Sequence, residues 1–174
     1  LWPTDSDVRI EIEVVSGSIE IEGWDRDEVR VRVEGGRTEA LDIKATRKRV
    51  VIRSPNFHRK SFFGIGGDLA VDISVSVPAR SRIEAKRTNG ALRAEGVSGN
   101  LDSNAAHGDI DVRGSPSEAR RETINASIDF EGRESRVEAR TINGSIELAG
   151  VAQEVSASTI SGSIRVEAST LERV

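Results

Sequence analysis

Glycines at Gly90, Gly108, Gly144 and Gly162 keep a spacing of 18 residues, with Ala126 in the remaining slot. A second series, Gly96, Gly114, Gly132 and Gly150, has the same period. The tripeptides Thr123-Ile124-Asn125, Thr141-Ile142-Asn143 and Thr159-Ile160-Ser161 recur almost verbatim. A period of this length restricts the fold more than composition can. Each repeat is a small unit that buries its apolar face only by stacking on its neighbours.

Inside one repeat, an aliphatic stands two residues after each glycine slot: Leu92, Ile110, Ile128, Ile146, Ile164. Two further on comes another apolar residue: Ala94, Val112, Phe130, Leu148, Val166. The residue between is always charged. Alternation with a period of two marks a strand with one buried face. A weaker copy of the pattern, Leu101, Ala119, Val137 and Val155, follows nine residues later, so each repeat holds two short strands and two turns. Asn89-Gly90 and Asn143-Gly144 mark the turns, because these dipeptides accept positive φ at low cost. The spacing predicts an all-β fold: a parallel two-sided β-solenoid, β-helix or β-roll in style, with 18-residue coils. Connection rules favour a right-handed one.

If residue i lies beside residue i+18 of the next coil, outward charges fall into columns. Asp102, Arg120 and Glu138 form one, Glu118, Arg136 and Glu154 another, and Glu122 meets Arg140. Opposite charges on adjacent strands favour that register. On the other face Asp111, Asp129 and Glu147 stack like on like, with only Arg113 or Arg133 near enough to relieve them. Arg121 departs from the pattern, since Ser103, Ala139 and Ala157 hold the equivalent inward positions; it implies a bulge near Pro116 or a side chain reaching out of the coil. Leu171 is out of register with Val155, which predicts a frayed, shifted or capping last strand.

Earlier in the chain the strands are less regular. Val8, Ile10, Ile12 and Val14 alternate with polar residues, and Ser16-Gly17-Ser18-Ile19-Glu20-Ile21-Glu22-Gly23 repeats the later pattern. Further strands follow around Val29–Val33, Leu41–Ala45, Val50–Arg53 and Leu69–Val77, the last ended by Pro78, which cannot donate to a ladder. The chain reads as one continuous domain, irregular and strand-rich over 1–82 and regular over 83–174. No segment predicts a helix.

Composition suits a thin interior. Hydrophobic residues make up 36% and aromatics only 3%, too few bulky side chains for a thick globular core. The net charge of −4, with 31% charged residues mixed in sign, leaves no nucleic-acid footprint. The absence of cysteine excludes disulfides and thiolate chemistry. No stretch has the length and hydropathy of a transmembrane helix or signal peptide. A chain without methionine that begins at Leu1 is expected to be a fragment or a mature form.

Site chemistry is sparse. Calcium-binding β-rolls share the nine-residue half-coil, but only Gly108-Asp109 here follows its glycine with an aspartate, so no repeating ion site and no cofactor is expected. His58 and His107 fall in unrelated parts of the scheme. His107 takes a turn position held elsewhere by Asn89, Asn125, Asn143 and Ser161, which reads as a ladder of stacked polar side chains. The pairs Asp109/Asp111 and Asp25/Asp27 are the closest approach to hydrolase carboxylates. No Gly-x-Ser-x-Gly elbow occurs, and Gly64-Ile65-Gly66-Gly67 lacks the Lys-Ser/Thr of a phosphate loop. The segment Ser54–Gly67 breaks the repeat and gathers three of the four phenylalanines with a small basic cluster. Insertions of this length in compact domains are frequently functional. Phe57, Arg59, Lys60, Phe62 and Phe63 are therefore the candidate contact with a partner, a membrane surface or a second copy, or else a cap over the solenoid core.

The segment Gly17 to Val29, the Val75-Ser76-Val77-Pro78-Ala79-Arg80 strand end and the Asn-Gly-Ser-Ile repeats resemble the bacterial putative-adhesin family of unknown function. The resemblance covers the chain from about Val8 onward. It implies a β-helix-like domain of envelope or exported proteins, and it transfers no catalytic residue. The expectation is a non-enzymatic binding or scaffolding module of the cell envelope, facing a protein or glycan surface. A polysaccharide-acting enzyme of the β-helix kind, and a solenoid that self-assembles through its ends, are the alternatives.

Overall fold

The computed structural model of the chain describes residues 1–35, 41–54, 70–132, 136–151 and 154–168. Among these residues there is no helix. The strands in chain order are β1 (Trp2–Pro3), β2 (Arg9–Ser16), β3 (Ile19–Trp24), β4 (Glu28–Glu34), β5 (Asp42–Ala45), β6 (Arg49–Arg53), β7 (Asp72–Pro78), β8 (Arg82–Asn89) and β9 (Leu92–Val97). They continue as β10 (Asn100–His107), β11 (Ile110–Gly114), β12 (Glu118–Asn125), β13 (Ile128–Glu131), β14 (Arg136–Asn143), β15 (Ile146–Val151), β16 (Glu154–Ser161) and β17 (Ile164–Ala168).

Successive strands alternate between two sheets from β8 onward. One sheet runs β1-β4-β7-β3-β9-β11-β13-β15-β17, the other β16-β14-β12-β10-β8-β2-β6-β5. Pairing within each sheet is parallel except for β1–β4, β4–β7 and β5–β6. In one sheet Leu92, Ile110, Ile128, Ile146 and Ile164 lie side by side. In the other, Ile83, Leu101, Ala119, Val137 and Val155 do the same. Each step spans 18 residues, the interval that also separates the hydrogen-bonded side chains of Asn125 and Asn143.

The order of the strands is not the order of the chain. β2 lies between β6 and β8, and β3 between β7 and β9. The first pair of strands is thus flanked on both sides by pairs made later. β4 skips a place and runs antiparallel to β7, and β5 runs antiparallel to β6, so antiparallel strands close that end. Trp24 marks the departure: its indole Nε1 donates to the Glu28 carbonyl across the turn, while Arg26 and Arg30 lie over its ring at 5.2 and 5.0 Å from the centroid.

The inward side chains form one apolar cluster that runs from Val8 to Val155 and includes Ile10, Ile12, Ile19 and Ile21 of the flanked pair. Each fully buried aliphatic contributes about 1.5–3 kcal/mol. The turns stack as tightly as the strands. Gly108 has φ +111, and a Cβ there would collide with the Gly90 carbonyl of the neighbouring turn. Only glycine satisfies both the dihedral and the approach.

Arg121 neither bulges the strand nor reaches outward. It stays in register between Ser103 and Ala139 and is 0% exposed. Parallel pairing with β10 and β14 holds its backbone in line, and the flanking residues Ser103 and Ala139 are small. Leu171 lies outside the described residues.

Candidate functional site: an isoleucine ladder on a charged sheet

The Thr-Ile-Asn tripeptide is a turn device with an apolar by-product. On β14 the inward residues are Val137, Ala139 and Thr141. Thr141 is buried but satisfied, because Oγ1 donates to the Ala126 carbonyl at 3.1 Å. Thr159 does the same toward Gly144 at 3.2 Å. The third residue extends the turn ladder: Asn143 Nδ2 donates to Asn125 Oδ1 at 2.8 Å, and Asn125 Nδ2 meets His107 Nδ1 at 3.2 Å. That is the polar ladder the turn column predicts, with His107 as a member. The middle residue has the opposite parity to threonine, so isoleucine is forced outward.

Ile124, Ile142 and Ile160 are 46%, 42% and 78% exposed. The parallel register sets them in one column at the strand spacing of about 4.8 Å. They line a shallow groove of about 680 Å³, continued past Ala106 and bounded by Lys86, Glu122 and Arg140. An aligned row of exposed aliphatics differs from the scattered exposed residues of an ordinary surface. Sequence reading missed this row. The signal was present: counting from Val137 in steps of two makes Thr141 inward and Ile142 outward.

Beside the ladder, the expected charge columns are in place. Arg120 Nε lies 3.7 Å from Glu138, Arg136 Nε 3.0 Å from Glu154, and Arg140 Nη1 3.8 Å from Glu122. Asp102 is the exception; its partial burial raises its pKa, against the opposing pull of Arg120. On the other sheet the like-charged stack is relieved at both ends. Asp111 pairs with Arg93 and Arg113, each at 3.5 Å, and Glu147 with Arg165 at 3.9 Å. Asp129, left between them, has its pKa raised by burial first and by Glu147 and Asp111 next.

The acids singled out from sequence do not converge. Asp109 accepts from the Ser127 amide at 3.0 Å, Asp111 is held by its two arginines, and Asp25 and Asp27 lie in the β3–β4 turn at the opposite end of the strands. Among the described residues, no group of three or more His, Asp or Glu is placed to hold a metal ion. His58, Phe57, Arg59, Lys60, Phe62 and Phe63 lie outside the described residues.

Two arginines are buried among the inward residues. Arg87 donates through Nη2 to the carbonyls of Gly108 and Asp109, at 3.0 and 2.8 Å. Burial pulls its pKa down to about 10, against the pull of Asp109. By the Thr141 and Thr159 pattern, Gly108 is the acceptor that Thr123 would use; Thr123 Oγ1 is left without a partner. Arg121 makes no hydrogen bond through any of its three nitrogens, and burial pushes its pKa down to about 9.

These features define an all-β protein of two largely parallel sheets with an apolar row on one outer face. The chain belongs to the Toastrack DUF4097 family, whose sequence model matches residues 8–174. The resemblance to an adhesin-type family of unknown function is thereby borne out. A putative cell adhesion protein from Clostridium sporogenes ATCC 15579 is similar at 12% identity and a TM-score of 0.61, over 97% of this chain and 96% of that one. A putative adhesin from Bacteroides fragilis NCTC 9343 is similar at 11% identity and a TM-score of 0.48, over 99% and 94% of the two chains. At these identities the first likeness speaks to the fold alone. No curated protein matches the chain.

Proposed function

We propose that this chain is a non-catalytic, adhesin-like binding or scaffolding module of the bacterial cell envelope. In this reading the two sheets are the faces of one continuous two-sided solenoid with 18-residue coils, and a face rather than a cleft makes the contact. The observation that carries the reading is the Ile124–Ile142–Ile160 row, an apolar feature that the stacking does not need and that water does not favour. The family membership is compatible with it, and the description of the Clostridium sporogenes protein as a putative cell adhesion protein points the same way.

The test is a panel of envelope polysaccharides and phospholipid vesicles, presented to the wild-type chain and to an Ile124→Ser/Ile142→Ser variant. A retained component should lose at least tenfold in affinity with the variant. Equal binding by both proteins would move the contact elsewhere. A Phe62→Ala/Phe63→Ala variant then reports on the aromatic-basic segment Phe57–Phe63 as a second contact. Cleavage of any polysaccharide in the panel would overturn the non-catalytic assignment.

A further inference from the structure

We infer that the isoleucine row is covered by the same row of a second copy of this chain, related by a twofold axis that runs parallel to the strands and passes between β12 and β14. The inference rests on reading the row as a contact face and names what covers it.

The first argument is spacing. The row repeats at the distance between adjacent strands, about 4.8 Å. A second copy carries the same repeat, so Ile124 and Ile142 nest against Ile142 and Ile124 of the partner while Ile160 meets Ala106, at a matching interval throughout. An extended peptide does not: its same-face side chains recur every two residues, roughly 6.6 Å apart, and fall out of step after one contact. A helix, at 5.4 Å per turn, comes nearer. Charge separates it from a second copy.

The columns beside the row carry a sign pattern that also selects a second copy. Glu118 on β12 lies beside Arg136 on β14, Arg120 beside Glu138, and Glu122 beside Arg140. All three columns reverse sign between the same two strands. Rotation by 180° about an axis along the strands, midway between them, exchanges the level of β12 for that of β14 and leaves each position along the strand unchanged. Glu118 then faces Arg136 of the second copy, Arg120 faces Glu138, and Glu122 faces Arg140. The same rotation lays Ile124 against Ile142. One operation makes the Ile124–Ile142 pair and three charged columns self-complementary, as an isologous interface requires. The charges form a polar rim beside an apolar strip, the usual anatomy of an interface. A foreign helix would have to reproduce all three alternations by itself.

The strip is narrow, so assembly depends on concentration. Sedimentation velocity over a hundredfold range of protein concentration should show the mass doubling. Ile142→Asp should weaken the dimer at least tenfold, and Ile142→Thr, which keeps a strand-favouring side chain, should weaken it in the same direction. Glu122→Arg should also weaken it, and the exchange Glu122→Arg/Arg140→Glu should restore it. Circular dichroism melts on every variant show that the fold is kept. A wild-type chain that stays monomeric throughout, or a dimer indifferent to both Ile142 variants, overturns the inference. A monomeric wild type whose binding on the envelope panel still depends on the row would leave the face reading standing without it. A row variant that both binds and assembles as wild type overturns the two together.

Discussion

The guanidinium of Arg121 lies 4.6 Å from the centroid of the Phe130 ring, sealed between the two sheets with no hydrogen-bonding partner. An unpaired buried cation costs several kcal/mol. A desolvated cation–π contact returns about 2 kcal/mol. Desolvation therefore wins, and Arg121→Met, which fills similar volume without the charge, should stabilise the protein by about 1–3 kcal/mol in urea unfolding. A loss of stability on this substitution would show that the guanidinium is better compensated in solution than the geometry indicates.

The same residue gives a signed pH dependence. Burial lowers its pKa from the ordinary arginine value to about 9 in the folded chain. Between those values the unfolded chain holds a proton that the folded chain has released, so stability from this group rises with pH. The gap between wild type and Arg121→Met, wide at pH 8, should narrow by pH 11. A gap that stays constant across that range would contradict the linkage.

At the acid end the slope has the same sign but the opposite origin, a stabilised anion rather than a destabilised cation. Glu11 on β2 accepts from Arg49 of β6 at 2.7 and 3.1 Å, and Arg9 pairs with it at 2.8 Å. The Arg49 hydrogen bonds come first among the causes that hold its carboxyl below the usual 4.5. Its contribution is present above pH 4.5 and is lost as pH falls through the lower folded value. Glu11→Gln should flatten the acid limb of the stability profile. Arg49→Ala should lower stability at pH 7 and flatten the same limb.

Two glycines separate dihedral strain from stacking. Gly35 has φ +77, and among the described residues a Cβ there would meet nothing nearer than the Ala70 carbonyl at 3.6 Å, whereas one at Gly108, φ +111, would collide with the Gly90 carbonyl. Gly35→Ala should cost about 1 kcal/mol. Gly108→Ala should cost 3 kcal/mol or more, roughly, because the neighbouring turn must also move. Equal costs would mean that the turns are free to separate.

Depth in the stack should be measurable as well. Ile12 is fully buried and Ile142 is not. Ile12→Ala should cost about 3–4 kcal/mol and Ile142→Ala under about 0.5 kcal/mol. Similar losses would place Ile142 in the core rather than on a face.

The regular half was legible because parity and period act together: once Ile128, Ile146 and Ile164 share a column, every other inward and outward position follows. The isoleucine row was legible by the same count, and the verbatim tripeptide drew attention to the turn instead. Arg121 was harder. Its parity points inward and its charge outward, and the strand register, a collective property of three adjacent coils, overrode the single side chain. The place of β2 and β3 in the stack was not legible. Nothing in Ser16–Gly23 distinguishes a coil at an end from one in the middle, since both expose the same repeat to their neighbours. The contact proposed from Phe57, Arg59, Lys60, Phe62 and Phe63 lies outside the described residues.

The wedged position of β2 and β3 sets which way such a chain can lengthen. Closure by β4 and β5 and the back-threaded pair fix one terminus of the stack as a finished plug, so a duplicated repeat inserted there would have to re-route three strands. Among the described residues β16 and β17 carry no further strand, so an extra repeat laid there would displace none of them. Relatives of different size should therefore vary in repeat number on the carboxyl side and keep the amino-terminal weave intact.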